Sequence, residues 1–184
     1  MRIVGGRFKG RALKGPSSQA IRPTSDRLRE SLFNILAHGY DNAVEGARVI
    51  DLYAGTGALG LEAISRGASF ALFVDDGAEA RALIRNNVEA LGLGGVTRIF
   101  RRDARKLGAM PPGAPYTLAF LDPPYGRGLA EPALTSLAGG GWLAPGALVV
   151  IEEAAGAVIA LPDGFALIDK REAGDTQALF ARFG

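Results

Sequence analysis

The chain has 184 residues, 48% of them hydrophobic and 22% charged, a size and balance that suit one well-cored globular domain rather than a disordered or two-domain chain. It has no cysteine and a single histidine, His38, which excludes cysteine nucleophiles, cysteine-ligated zinc and any Ser-His-Asp triad not built on that one imidazole. The net charge is +2, yet residues 1 to 30 carry eight basic side chains against Asp26 and Glu30, a local +6 that leaves −4 on the remainder.

A basic arm on a mildly acidic body suits a polyanionic partner, most simply nucleic acid, and singles out Arg2, Arg7, Lys9, Arg11, Arg22 and Arg27 as contacts. No apolar run approaches the roughly 18 residues needed to span a membrane, and the first residues lack the apolar core of a signal peptide. The expectation is a cytoplasmic, monomeric protein.

Residues 2 to 14, punctuated by Gly5-Gly6 and Gly10, read as a short basic β-hairpin, and Pro16 to Gln19 as a linker. The domain division expected is a hairpin extension over 1–20 and a main domain over 21–184. A helix opens after Pro23, with Thr24 as its N-cap and Leu28, Leu32, Phe33, Ile35 and Leu36 on one face. His38, near its end, reads as a solvent-facing or capping residue.

From residue 47 apolar strands alternate with amphipathic helices. Strands are predicted at 48–53, 70–74, 96–100, 116–121 and 147–151, and helices at 57–67, 78–91 and 129–137. Segments 165–172 and 176–183 form an antiparallel pair turning near Gly174-Asp175. This alternation predicts an α/β fold: a doubly wound, Rossmann-like sheet, mostly parallel, with an antiparallel C-terminal pair. Ligands in such sheets bind beyond the carboxyl ends of the strands. Asp51, Asp75, Asp103 and Asp122 fall there, after the first four strands. A second basic run, Arg98, Arg101, Arg102, Arg105 and Lys106, reads as a solvated flank that can extend a nucleic-acid surface.

Two stretches carry chemistry. Asp51 to Gly60 contains G-x-G-x-x-G between a strand and a helix: Gly55 and Gly57 permit a tight turn and close approach to a ligand, and Gly60 permits close helix packing. Dinucleotide enzymes share this spacing and an acid about 20 residues on, which Asp75 supplies equally well. Asp51 separates the cases, because an acid four residues before Gly55 repels a pyrophosphate and suits a cationic amino group. The second stretch is Asp122-Pro123-Pro124-Tyr125. Two prolines after the fourth strand make a stiff ledge with a carboxylate, carbonyl oxygens and a flat ring. An exocyclic amine can donate to Asp122 and to the carbonyl of Pro123 while Tyr125 stacks on its base.

The joint occurrence of Asp51-x-x-x-Gly55-x-Gly57 and Asp122-Pro123-Pro124-Tyr125 resembles the class I S-adenosylmethionine-dependent methyltransferases. Met1 to Arg11, Arg22 to Leu36 and Asp51 to Gly67 resemble more closely the RsmD family, bacterial enzymes that methylate the exocyclic N2 of a guanine in small-subunit (16S) ribosomal RNA. The resemblance covers nearly the whole chain. It implies S-adenosyl-L-methionine as cofactor, with Asp51, Gly55, Gly57 and Gly60 around its methionine part, Asp75 on the ribose hydroxyls and Asp103 near the adenine amine. It implies a catalytic role for Asp122, Pro123 and Tyr125, and ribosomal RNA in an assembled or assembling small subunit as partner. Such families commonly have glutamate where Asp75-Asp76 stands here, so the ribose contact falls to Asp75, to Asp76 or to a bridging water. An adenine-N6 DNA methyltransferase using the same ledge, a nicotinamide-dependent oxidoreductase and a non-catalytic RNA-binding protein are the competing readings.

Overall fold

The computed structural model describes residues 1–18, 21 and 23–184. It contains a seven-stranded sheet in the order β3-β2-β1-β4-β5-β7-β6. The strands are β1 (Arg48–Leu52), β2 (Phe70–Val74), β3 (Thr97–Phe100), β4 (Tyr116–Leu121), β5 (Leu143–Ala154), β6 (Phe165–Ala173) and β7 (Thr176–Phe183). β1 to β5 run parallel, and β7 enters antiparallel between β5 and β6. Four α-helices accompany them: α1 (Asp26–Gly39), α2 (Ala58–Ser65), α3 (Ala78–Leu91) and α4 (Ala130–Gly139).

The central strands β1, β2 and β4 are buried on both faces, which is why they read as continuous apolar runs. Val49, Ala71, Phe73, Leu118 and Phe120 pack on one face with side chains of α1, α2 and α3. Ile50, Leu72, Ala119, Leu121 and Val149 pack on the other with α4 and Trp142. All eight residues of α2 are buried, its polar Glu62 and Ser65 included, and both of these hydrogen-bond the N-terminal hairpin. At the far edge, β6 carries Asp169, Lys170, Arg171 and Glu172, charges that discourage further strand pairing.

Several boundaries differ from the sequence expectation. β5 begins at Leu143 rather than Ala147, continuing through Pro145 and Gly146 beside a register shift between Tyr116 and Leu118. β1 ends at Leu52 because Tyr53 takes a left-handed conformation, φ +56°. The basic hairpin is held by one antiparallel bridge, Arg2 with Ala12, and by Ile3 N–H donating to Arg11 and Leu13 N–H to Met1. Its Ile3 and Leu13 are buried in the same core as α1 and α2. Helix α1 starts one residue later than expected: Ser25, not Thr24, is the N-cap, its hydroxyl accepting from the Leu28 N–H at 3.1 Å.

α1 lies under the ledge. Leu32, Phe33 and Leu36 are buried, and the Phe33 ring meets Phe120, two residues before Asp122, at 5.5 Å between centroids. Each such burial contributes about 1.5–3 kcal/mol at most. His38 is exposed in the last turn of α1, as expected of a solvent-facing or capping residue.

Candidate active site

The strand order reverses between β1 and β4, and a crevice opens at their carboxyl ends. Register pairs Asp51 with both Phe73 and Phe120. Partners in a parallel pair share a face, so Asp51 points to the face of Phe73 and Phe120 that α1, α2 and α3 pack against, while Asp75 and Asp122 follow immediately after the ends of β2 and β4. A cleft of about 820 Å³ lies there, lined by Tyr53, Gly55, Asp75, Asp76, Asp103 and the whole ledge Asp122 to Tyr125, among others. The structure therefore gathers the acids after β2, β3 and β4 and the glycine loop around one opening.

The loop is built by its glycines. Gly55 and Gly57 have φ of +60° and +80°, which let the chain turn from β1 into α2 without Cβ strain. Gly60 serves packing: a Cβ there would stand 2.4 Å from Phe73 Cε1. Gly60 N–H donates to Asp51 Oδ2 at 3.0 Å, while Asp51 Oδ1 is buried with no hydrogen-bond partner among the described residues. Burial raises the Asp51 carboxyl well above the usual range; the Gly60 N–H opposes this, and the charges of Asp122 and Asp75 add to the rise. An uncompensated buried acceptor calls for a donor or a cation. That fits the cationic amino group of the cofactor that the sequence implies.

Asp75 accepts from Gly55 N–H at 3.0 Å through Oδ2 and from Gly77 N–H at 2.9 Å through Oδ1, tying the loop to the end of β2. Burial raises its carboxyl, with both N–H donors pulling the other way. A carboxylate has about four acceptor sites, so both oxygens retain capacity toward a ribose. Asp76 is exposed on the same rim. Asp103 is lowered by the guanidinium of Arg105, which bridges it at 2.8 Å, so an adenine amine would share that carboxylate with Arg105.

The ledge has Pro123 buried and Pro124 exposed, with Asp122 and Tyr125 half-buried. Thr24 Oγ1 donates to Asp122 Oδ2 at 2.9 Å, a contact between residues 98 apart in sequence. Sequence reasoning gave Thr24 a capping role; Ser25 takes that role, and the threonine hydroxyl goes to the ledge. Pattern reading also passed over Tyr53, assigned to a strand. Its phenol reaches the Leu129 carbonyl at 3.4 Å across the cleft. Desolvation, with the charge of Asp103 next, pushes its pKa up to about 12. The left-handed φ of a tyrosine is the kind of local strain that clusters at functional sites, and no single-sequence signal announces it.

The linker after the hairpin also reaches the cleft. Ser18 Oγ donates to Glu79 at 2.6 Å at the start of α3, and Ile21 packs over Gly55 and lines the opening. Of the basic residues expected to meet nucleic acid, Arg2, Arg7, Lys9, Arg11 and Arg27 are exposed, whereas Arg22 lies outside the described residues. Arg2 approaches Asp26 at 3.8 Å, Arg11 donates to the Ala90 carbonyl, and Arg7 lies over the Phe8 ring at 4.9 Å. In the second basic run, Arg102 folds back over Phe100 and Trp142 and Arg105 pairs with Asp103. Among the described residues no helix is long and apolar enough to cross a membrane.

A family model described as Conserved hypothetical protein 95 matches residues 1–182. The ribosomal RNA small subunit methyltransferase D of Escherichia coli K12 is 41% identical over 153 residues, 83% of this chain and 74% of that protein. The protein of the same name from Haemophilus influenzae is 30% identical over 95% of this chain and 89% of its own length. Among solved structures, a candidate methyltransferase from Escherichia coli superposes with TM-score 0.83 at 33% identity, covering 100% of this chain and 97% of that one.

Proposed function

We propose that this chain, which belongs to the RsmD family, is an rRNA methyltransferase that uses S-adenosyl-L-methionine to methylate the exocyclic N2 amine of a guanine in small-subunit ribosomal RNA. The observation that carries this reading is the opening of the glycine loop and the Asp-Pro-Pro-Tyr ledge onto one cleft at the reversal of strand order. The doubly wound methyltransferase architecture and the names of the relatives support it.

S-adenosyl-L-methionine supplies, when bound, a methyl carbon made electrophilic by its sulfonium. Asp51 would face its cationic amino group, the backbone at Gly55 and Gly57 would allow close approach, and Asp75 with Asp76 would serve the ribose. The chain's own part in the chemistry is positioning more than strong base catalysis, because the lone pair of the guanine amine is delocalised into the purine. Orientation of this kind lowers barriers by about 7–11 kcal/mol in favourable intramolecular systems. Asp122 and the carbonyl of Pro123 accept from the amine, the Asp122 charge offsets the positive charge that develops there, and the proton that N2 loses on methylation leaves to Asp122 or to water. Neither Pro123 nor Pro124 has an N–H to compete for those acceptors. Tyr125 stacks on the base, which swings out of its RNA stack at a cost of a few kcal/mol. Arg7, Lys9, Arg11 and Arg27, with Arg2 and Arg22, meet phosphates.

The test is transfer of labelled methyl groups to small ribosomal subunits, naked ribosomal RNA and DNA, with nucleosides identified by mass spectrometry. N2-methylguanosine in the ribosomal substrates is the expected product. N6-methyladenine in DNA, or no transfer to any of the three, overturns the reading.

A further inference from the structure

We propose that Thr24 is the positioning residue for Asp122, and that the buried Arg29–Glu62 pair fixes Thr24 in turn and ties it to the basic hairpin. The inference rests on the reading above that Asp122 meets the target amine. Thr24 is 5% exposed and stands one residue before the N-cap of α1, so its hydroxyl is not spent on the helix. It donates to Asp122 Oδ2 at 2.9 Å. A threonine hydroxyl has one proton to give, and giving it to the carboxylate fixes which way that carboxylate faces. Thr24 and Asp122 also line a narrow crevice with Tyr53, Gly55 and Thr56, where the ledge meets the glycine loop.

What holds Thr24 is unusual for a surface loop. Arg29 is fully buried, and its Nη1 donates to the Thr24 carbonyl at 3.1 Å. Its Nε donates to Glu62 on α2, also fully buried, at 3.1 Å, and its Nη2 donates to Asp26 at 2.9 Å and to the Arg2 carbonyl. Glu62 accepts in addition from the N–H groups of Val4 at 3.0 Å and Gly5 at 2.9 Å, and from Arg66 at 2.8 Å. A buried ion pair is weak evidence for stability alone, since desolvating two charges costs about what their attraction returns. Its rigid guanidinium, which makes four hydrogen bonds here, does specify geometry. Here that geometry joins three elements: hairpin backbone, α2 and the segment entering α1.

The test compares Thr24→Val, which keeps shape and removes the hydroxyl, with Thr24→Ser, which restores it, in the full chain acting on small subunits. Single-turnover rates, KM for the subunit and cofactor affinity by calorimetry are read for each. A displaced catalytic group costs up to about 100-fold in rate, so Thr24→Val is expected to lose roughly 10- to 100-fold in kcat. KM and cofactor affinity stay within about threefold, and Thr24→Ser recovers most of the rate. In an Asp122→Asn background Thr24→Val causes no further loss, because the group it acts through is already disabled.

A Thr24→Val enzyme with normal kcat overturns the inference, as does failure of serine to rescue or an equal loss in the Asp122→Asn background. Those results leave the role of Asp122 standing. Normal turnover by Asp122→Asn itself instead removes Asp122 from the mechanism and takes this inference with it.

Discussion

On the glycine-loop wall of the cleft, buried Asp51 and cleft-lining Asp75 are held by N–H groups of Gly60, Gly55 and Gly77, partners within 20 residues of them. On the ledge wall, Asp122 is held by a hydroxyl 98 residues away, on a segment anchored by a buried arginine. The first wall is assembled by the turn between β1 and α2 and the end of the neighbouring strand. The second requires the N-terminal segment to cross the sheet and seat α1 beneath β4. One is a local device repeated wherever this loop occurs, and the other is a product of the whole domain. Loss on the first wall should therefore read as lost cofactor affinity, and loss on the second as lost rate.

The sharpest break between the walls is Asp122→Ala. Turnover is expected to fall about 10²- to 10³-fold, in line with removal of a preorganised group facing developing charge, while calorimetric cofactor affinity stays near normal. If cofactor affinity falls as far as rate, the two walls act as one unit.

Next in size is Asp51→Asn, expected to weaken the cofactor roughly 10- to 100-fold by removing a buried charge opposite a cation. Its pH dependence sharpens the contrast. The folded pKa of Asp51 is raised above the unfolded value, so the native state binds the extra proton. The Asp51 contribution to stability is then fully present below the unfolded pKa and is lost as pH rises through the folded one. The melting temperature of cofactor-free Asp51→Asn should accordingly exceed that of the parent by an amount that grows across this window, at about 2–4 °C per kcal/mol. Cofactor affinity of the parent should rise with pH through the same window, and a flat profile would remove Asp51 as the counter-charge.

The smallest effect is expected from the outer face of the hairpin. Arg7→Ala with Lys9→Ala should weaken RNA binding several-fold and lower the slope of log affinity against log salt by roughly 1.4–1.8, two phosphates' worth. Melting temperature should not move, because both side chains are exposed. Deleting the hairpin is a poorer experiment. It removes buried Ile3 and Leu13 and strips Glu62 of two backbone donors, so it would confound RNA binding with folding.

The sequence determined the alternation of strands and helices, the antiparallel ending and the four acids at strand ends, because burial on two faces and glycine-bounded turns leave local signatures. Each motif was legible because it lies within a single turn, and their pairing came from the resemblance to class I methyltransferases; the tertiary structure opens the glycine loop and the ledge onto one cleft. Tertiary structure alone decided that Thr24 serves Asp122 instead of its own helix. Thr24 and Ser25 are equivalent caps by composition, and the choice falls to Ser25 once α1 packs Phe33 on Phe120. It alone decided that Arg29, which counts as one more basic residue of the arm, is buried against Glu62 and unavailable to RNA. Charge counts cannot tell a solvated arginine from a structural one, because the difference lies in which carboxylate the fold brings within 3.1 Å.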